Sequence, residues 1–184
     1  MMSQADLITR IARVQAGDGD AWGELYQELA PPVFRLCRRA LPTREDAEDA
    51  TTEIFLKLRV KLGQYDRERP FRPWLFKLAS NHCWDELRRR RRRGEVADVD
   101  ELGAESHEPS PLAQLLTKQK KQDVRAALAR LHDRDRLALV MRYYAELSYE
   151  EIADVLGVTS TLVGVLLLRA RRRLRQVLVD EGRV

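Results

Sequence analysis

An acidic, proline-containing stretch divides this chain and limits the size of any single core that it can form. Between Gly94 and Pro111 there are six Asp or Glu residues, no Lys or Arg, and two prolines. Clustered like charges with few apolar residues disfavour a packed element. We therefore expect a flexible acidic linker at 94–111 between two small domains, at 1–93 and 112–184.

Both predicted domains have the periodicity of helices. Apolar residues recur at intervals of three and four, and no stretch sustains the alternation of a strand. The predicted fold class is therefore all-α, with Pro31 and Pro32 interrupting the second helix and Gly63 closing the third. Helices are expected near 4–16, 20–40, 44–62, 71–92, 112–130, 134–144, 149–156 and 160–180.

Charge and cysteine content narrow the possible classes of protein. A net charge of +4, with 34% charged residues, fits a polyanionic partner. Cys37 and Cys83 are far apart and belong to no CxxC motif or Cys/His ligand spacing, which argues for a reducing compartment and against a disulfide framework or a metal site. Neither a signal sequence nor an apolar run of roughly 20 residues is present. We expect a cytoplasmic protein without membrane insertion and without a cofactor.

The clearest local motif runs from Leu147 to Thr159. Ser148 and Glu151 have the spacing of a capping box, and Gly157 suits the left-handed end of a short helix. Thr159 can then cap a second helix, which leads into several arginines. A short capped helix, a glycine turn and a longer helix predict a DNA-binding helix-turn-helix, and an ordinary helical hairpin is the alternative.

A second motif combines aromatic residues with dense positive charge. Phe71 and Trp74 precede six consecutive arginines, Arg88 to Arg93, and Tyr65 lies just upstream. Bases stack on aromatic rings while arginines hold the phosphate backbone, so the combination favours unpaired DNA. The alternatives are that the aromatic residues form core, with Trp74 suited to either role, and that the arginines form a nonspecific basic tail.

The helix predicted at 44–62 carries an acidic stripe opposite its apolar face. Asp46, Asp49 and Glu53 share that stripe at helical spacing, and Leu56 lies beside it. Asp46 is also placed to cap the helix with Thr43, whereas Glu53 is too far along to gain from the helix dipole. The stripe indicates a basic protein partner, with a solvated face as the alternative.

Taken together, these motifs resemble the extracytoplasmic-function group of the sigma-70 family over nearly the whole chain. Asp46-Ala47-Glu48-Asp49 with Glu53-Ile54-Phe55 is similar to the family's polymerase-binding segment, and Phe71-Arg72-Pro73-Trp74-Leu75 is similar to its minus-10 segment. The resemblance implies core RNA polymerase and promoter DNA as partners. It implies polymerase contacts from Asp46, Asp49, Glu53 and Leu56, and minus-10 contacts from Tyr65, Phe71, Arg72, Trp74, Asn81, Arg88, Arg89 and Arg92.

The helix-turn-helix resembles the family's minus-35 domain, although its second helix departs from the family pattern. The resemblance implies minus-35 contacts from Thr159, Ser160, Thr161, Arg169, Arg171, Arg172 and Arg173. Between these groups the helix is apolar, and Leu162, Val165 and Leu168 fall off the core face, so we expect them to be exposed. Two hypotheses remain: that this surface packs on a protein, either an anti-sigma factor or a second copy, or that promoter choice depends mainly on the minus-10 domain.

Three other functions are weighed against a sigma factor. An enzyme is disfavoured because the chain has no glycine-rich phosphate loop and its histidines, His82, His107 and His132, are scattered. A promoter-binding regulator would use the helix-turn-helix but would not need the acidic stripe. An adaptor that has lost DNA binding would account for the apolar recognition helix. The resemblance over the whole chain favours a sigma factor.

Overall fold

The computed structural model describes residues 3–94 and 124–180, and within these ranges the chain is helical with no strand. The predicted linker, apart from Gly94, and residues 112–123 of the helix predicted at 112–130 lie outside the described residues. A helical segment at 124–129 precedes the final three helices. The remaining elements are α1 (Gln4–Gln15), α2 (Gly19–Ala40), α3 (Arg44–Lys61), a 3₁₀ turn (Leu62–Gln64), α4 (Phe71–Arg93), α5 (Asp133–Tyr143), α6 (Tyr149–Leu156) and α7 (Ser160–Asp180).

Side-chain caps fix where several of these helices begin. The predicted capping boxes at the starts of α3 and α6 are confirmed, and Ser3 with Asp6 forms a third box at the start of α1. Each box satisfies backbone N–H groups that have no partner within the helix. At the other end of α6, Gly157 has φ 63°, the predicted left-handed conformation.

Helix α2 corrects one expectation from the sequence. Pro31 and Pro32 were expected to interrupt it, yet the helix is continuous from Gly19 to Ala40. Its buried positions keep helical spacing on both sides of the prolines, from Leu25 and Leu29 to Val33 and on to Leu36 and Cys37. Packing along this whole face outweighs the lost backbone hydrogen bonds, which cost about 3 kcal/mol for one proline in an isolated helix.

Helices α1, α3 and α4 pack around α2. Leu7, Ile11, Leu36, Ile54 and Leu75 are all less than 2% exposed in this core. The same core contains Cys37 and Cys83, whose Sγ atoms lie 3.8 Å apart with both thiols free. The hydrogen bond with Cys37, together with burial, raises the pKa of the Cys83 thiol well above its ordinary value.

Helices α5 to α7 pack on one another and also against α2 and α4 of the first domain. The guanidinium of Arg136 on α5 is buried and donates a 2.9 Å hydrogen bond to the carbonyl oxygen of Ala40 at the end of α2. Buried side chains of both halves form one continuous hydrophobic cluster. The two predicted domains therefore meet at a closely packed interface.

Candidate nucleic-acid and protein interfaces

Helices α6 and α7 have the geometry of a helix-turn-helix. Their axes differ in direction by 92° across the turn that contains Gly157. The hydroxyl of Thr159 accepts a 3.3 Å hydrogen bond from the backbone N–H of Leu162, which confirms the predicted cap of the second helix. An angle of roughly 90–120° with a glycine in the turn is typical of DNA-binding helix pairs.

The exposed side of α7 is largely apolar. Val163, Leu167 and Ala170 are buried, as expected for its core face. Leu162, Val165 and Leu168 are 40%, 56% and 44% exposed, which confirms the prediction that they point away from the core. The three polar residues that remain at the start of this helix-turn-helix surface are Thr159, Ser160 and Thr161, of which Thr159 and Thr161 are exposed.

Two of the arginines predicted to contact DNA are held by a buried carboxylate. Asp135 is fully buried and accepts hydrogen bonds of 2.6 Å from Arg169 and 2.7 Å from Arg173. This contact raises the pKa of Arg169 above its ordinary value. Arg171 lies 3.4 Å from the hydroxyl of Tyr143, and Arg172 is exposed without an ion-pair partner among the described residues. Arg171 and Arg172 are therefore the better placed to meet phosphates.

The aromatic motif forms a compact cluster at the start of α4. The ring of Tyr65 lies 5.0 Å from that of Phe71 and 5.1 Å from that of Trp74, measured between centroids. Phe71 is fully buried and Tyr65 is 5% exposed, while Trp74 is half-buried. The interpretation as core therefore holds for Phe71, and only Trp74 offers ring surface for stacking in this arrangement.

The six arginines at the end of α4 divide into two groups. Arg89 and Arg93 pair with Glu86, and Arg90 pairs with Asp46. The other three, Arg88, Arg91 and Arg92, are exposed and have no carboxylate partner among the described residues. Half of the charge that was expected to require an anionic partner is thus compensated within the fold.

Helix α3 presents a continuous surface with both acidic and apolar residues. Asp49 and Glu53 are exposed, and Leu56 is 63% exposed beside them. Val60 continues this face at 79% exposure, an extension that the sequence interpretation missed although it lies at the same helical spacing. Asp46, in contrast, is partly buried against Arg90.

Comparison with known proteins identifies the family. The family models for Sigma-70 region 2 and Sigma-70 region 4 match residues 25–93 and 121–174. The ECF RNA polymerase sigma factor BldN of Streptomyces coelicolor is 31% identical over 97% of this chain and 68% of its own. The ECF RNA polymerase sigma-E factor of Escherichia coli K12 is 30% identical over 88% of each chain. The chain belongs to the extracytoplasmic-function group of sigma-70 factors.

A solved structure supports the fold of this sigma factor. The Bartonella quintana sigma factor RpoE, in complex with the anti-sigma factor NepR, has a TM-score of 0.63 at 22% identity over 85% of this chain and 95% of that one. Identity at this level shows the fold alone. The all-α class predicted from the sequence is confirmed by this likeness and by the helices described above.

The rest of the predicted minus-10 set in this sigma factor lies on α4. Arg72 forms a 3.2 Å ion pair with Glu28, which reduces its availability to a phosphate. Asn81 is exposed about two turns before the arginines. Lys77, on the same helix, forms a 3.0 Å ion pair with Asp154 of the helix-turn-helix. The second domain therefore contacts α4 beside the predicted minus-10 residues.

Sequence reasoning missed the residues that hold the two domains of the sigma factor together. Tyr144 is packed against the ring of Phe76 and beneath the guanidinium of Arg39, at 6.0 Å and 4.4 Å between the groups. Arg134 lies 5.5 Å from the ring of Trp84. Arg134 lies on α5 and Tyr144 directly follows it, and the periodicity of this short helix gives no sign of a partner in another domain.

Two further features bear on the expected absence of a metal and of membrane insertion. The described residues contain no cluster of His, Cys, Asp or Glu that could hold a metal ion. Among those residues no single helix is long and apolar enough to cross a membrane, and α6 and α7 reach that length and apolarity only as a pair bent by 92°.

Proposed function

We propose that this alternative sigma factor brings core RNA polymerase to promoters through three surfaces on α3, α4 and α7. The protein would act by binding and positioning, without catalytic chemistry or a cofactor of its own. Work on RNA polymerase and promoter DNA implies a cytoplasmic location. The proposed domain limits are 1–93 for the polymerase-binding and minus-10 domain, 94–111 for the linker, and 112–184 for the minus-35 domain.

The exposed face of α3 carries this proposal, because a regulator that only binds DNA would not need it. This face combines two carboxylates with two large apolar side chains: Asp49, Glu53, Leu56 and Val60. Protein interfaces typically combine an apolar centre with charges at the rim. We infer that this face binds core polymerase, with Asp46 at its edge positioning the face through Arg90.

The minus-10 role is supported by Trp74, Asn81 and those arginines of α4 that have no carboxylate partner among the described residues. Trp74 has ring surface for a base, while Arg88 and Arg92 lie about four and about five turns further along the same helix. Stacking contributes roughly 1–3 kcal/mol for each base, and the arginines add attraction to phosphates that weakens with salt. Tyr65 and Phe71, which are buried in contact with Trp74, would fix the position of its ring.

The minus-35 role has weaker support than the other two. Thr159, Ser160 and Thr161 supply hydroxyls at the start of α7, and Arg171 and Arg172 supply charge near its middle. Leu162, Val165 and Leu168 between them offer no hydrogen bond to a base edge. We therefore infer that this sigma factor selects promoters mainly through its minus-10 surface, and that the apolar face of α7 binds a protein, an anti-sigma factor or a second copy.

Run-off transcription tests the function directly. Purified core polymerase should start at new sites sharing a minus-10 sequence on a promoter-fragment library when the protein is added. Replacing Asp49 and Glu53 with Asn and Gln should abolish this initiation. The control is Glu48→Gln, which removes an exposed acid from another side of α3, where it pairs with Arg44. Core binding without initiation, or an equal loss in the control, would refute the proposal.

A further inference from the structure

An open groove lies where α4 meets the second domain. Its volume is 620 Å³, within the range of about 300–1,000 Å³ that is usual for small-ligand sites. Six arginines line it, three from α4 and three from the second domain: Arg88, Arg91, Arg92, Arg134, Arg169 and Arg173. Both predicted DNA-binding surfaces therefore direct positive charge into one open groove.

The charge in this groove is not balanced by the described residues. Asp135 is its single acidic residue, and that carboxylate is already bound by Arg169 and Arg173. Arg88 and Arg91 have neither an ion pair nor a hydrogen bond from their guanidinium groups within the described part of the chain, and Arg92 contacts only the carbonyl oxygen of Arg88, at 3.4 Å. Like charges held together oppose the packing of the two domains unless an anion lies between them.

The chemistry of the lining favours linked phosphates. A guanidinium group can donate two parallel hydrogen bonds to the oxygens of one phosphate. Two or three linked phosphates are long enough to bind arginines on both walls of the groove at once. Trp84 also borders the groove, half-buried beside Arg134, and offers an aromatic face to a base. We propose that this interdomain groove is a binding site for a small polyphosphate anion, either a nucleoside polyphosphate or a free oligophosphate.

A ligand of this kind would stabilise the packed arrangement of the two domains. It contacts arginines of both domains only when they are together, so its binding energy adds to their association. Because Arg88, Arg92, Arg169 and Arg173 also belong to the predicted promoter surfaces, an occupied groove would exclude DNA from them. The binding itself does not depend on the proposed function, and it is tested without polymerase or DNA.

Calorimetric titration of the full chain, without magnesium and at matched ionic strength, tests the site. Tripolyphosphate and ATP should bind with saturation at one per chain, and inorganic phosphate should bind at least about tenfold more weakly because it cannot span both walls. Thermal unfolding should show a higher unfolding temperature with saturating tripolyphosphate, because the anion binds the packed arrangement of the two domains. No saturable binding, or binding equal for phosphate and tripolyphosphate, would overturn the proposal.

Two double variants, each of which loses two positive charges, distinguish binding in the groove from nonspecific electrostatic attraction of the anion to the protein. Arg91→Ala with Arg92→Ala removes two groove arginines and should weaken tripolyphosphate binding by about tenfold or more. Arg89→Ala with Arg93→Ala removes two arginines that pair with Glu86 on another side of the same helix, and should leave binding within about twofold. Equal losses in the two variants would refute a defined site.

Two more variants identify the ligand and the other wall. Arg134→Ala should weaken binding of tripolyphosphate, since the site requires the second domain, and unchanged binding would contradict a bridging anion. Trp84→Leu should weaken the binding of ATP but not of tripolyphosphate if the natural ligand is a nucleotide, and the binding of neither if it is a free oligophosphate.

The chain's own acidic residues at 95–108 are the competing occupant of the groove. Binding that arises only after these acids are replaced with amides would overturn the proposal.

Discussion

The hydroxyl of Tyr144 donates a 3.0 Å hydrogen bond to the carbonyl oxygen of Pro32, and so ties the end of α5 to the middle of α2. The same hydroxyl accepts a 3.2 Å hydrogen bond from Nε of Arg35. Both contacts join the second domain to the first, and both depend on one oxygen atom. Tyr144 is therefore a test of how strongly the domains associate.

Tyr144→Phe should loosen the interface while keeping the packed ring. Losing two hydrogen bonds should weaken domain association by about 1–2 kcal/mol. Small-angle scattering should then show a larger radius of gyration, and hydrogen exchange at the end of α2 should become faster. Tyr143→Phe is the matched control, because the neighbouring Tyr143 is 60% exposed and its hydroxyl accepts a hydrogen bond from Arg171 of its own domain. Equal behaviour of the two variants would contradict this role of Tyr144.

Asp135 should be important for the stability of the helix-turn-helix domain. Asp135→Asn removes the charge that binds Arg169 and Arg173, and should lower the free energy of unfolding by about 2 kcal/mol. Asp154→Asn serves as the control, because the side chain of Asp154, which pairs with Lys77, is 70% exposed. Exposed ion pairs contribute about 0–1 kcal/mol to the free energy of unfolding. Denaturant unfolding measures both. A change below that of Asp154→Asn would contradict a structural role for Asp135.

His82 should make folding sensitive to mild acid. Burial, followed by the positive charge of Lys57, lowers the pKa of His82 from 6.5, while Glu53 and Glu86 act in the opposite direction. Nδ1 of His82 lies 2.7 Å from Nζ of Lys57, which fits a neutral ring that accepts a hydrogen bond. Since the folded pKa is below the unfolded one, the stabilisation is complete above pH 6.5 and is lost as the pH falls through the folded pKa.

The comparison with His82→Gln isolates this contribution. Glutamine keeps a hydrogen-bonding group but does not titrate between pH 5 and 8. The advantage of the natural chain over His82→Gln in free energy of unfolding should therefore decrease from pH 7 to pH 5. Denaturant unfolding at several pH values measures it, and parallel stability curves would contradict the assignment to His82.

Local signals in the sequence predicted helices α1 to α7 accurately, because the ends and buried face of each helix are encoded within a few residues. Ser148, Glu151 and Gly157 fix both ends of α6, and the spacing of Val163, Leu167 and Ala170 fixes the buried face of α7. The contacts between distant segments were not predictable in this way. Nothing near Tyr144 or Arg136 in the sequence indicates Pro32 or Ala40 as a partner, and the pairing of Arg89, Arg90 and Arg93 depends on acids brought close by folding. Charge counts alone therefore overstated how much of the arginine run is free.

The apolar face of α7 gives the last prediction, because its exposed residues do not support the fold. Val165→Ser with Leu168→Ser should leave the free energy of unfolding unchanged within about 0.5 kcal/mol, since both side chains are about half exposed. Leu167→Ser, one residue away but buried, should destabilise the domain by about 2–5 kcal/mol and acts as the contrasting variant. If this face binds a protein, the double variant should lose the contact with an anti-sigma factor or with a second copy, measured by co-purification and by sedimentation. Assembly that stays unchanged in a stable double variant would rule out this surface as the interface.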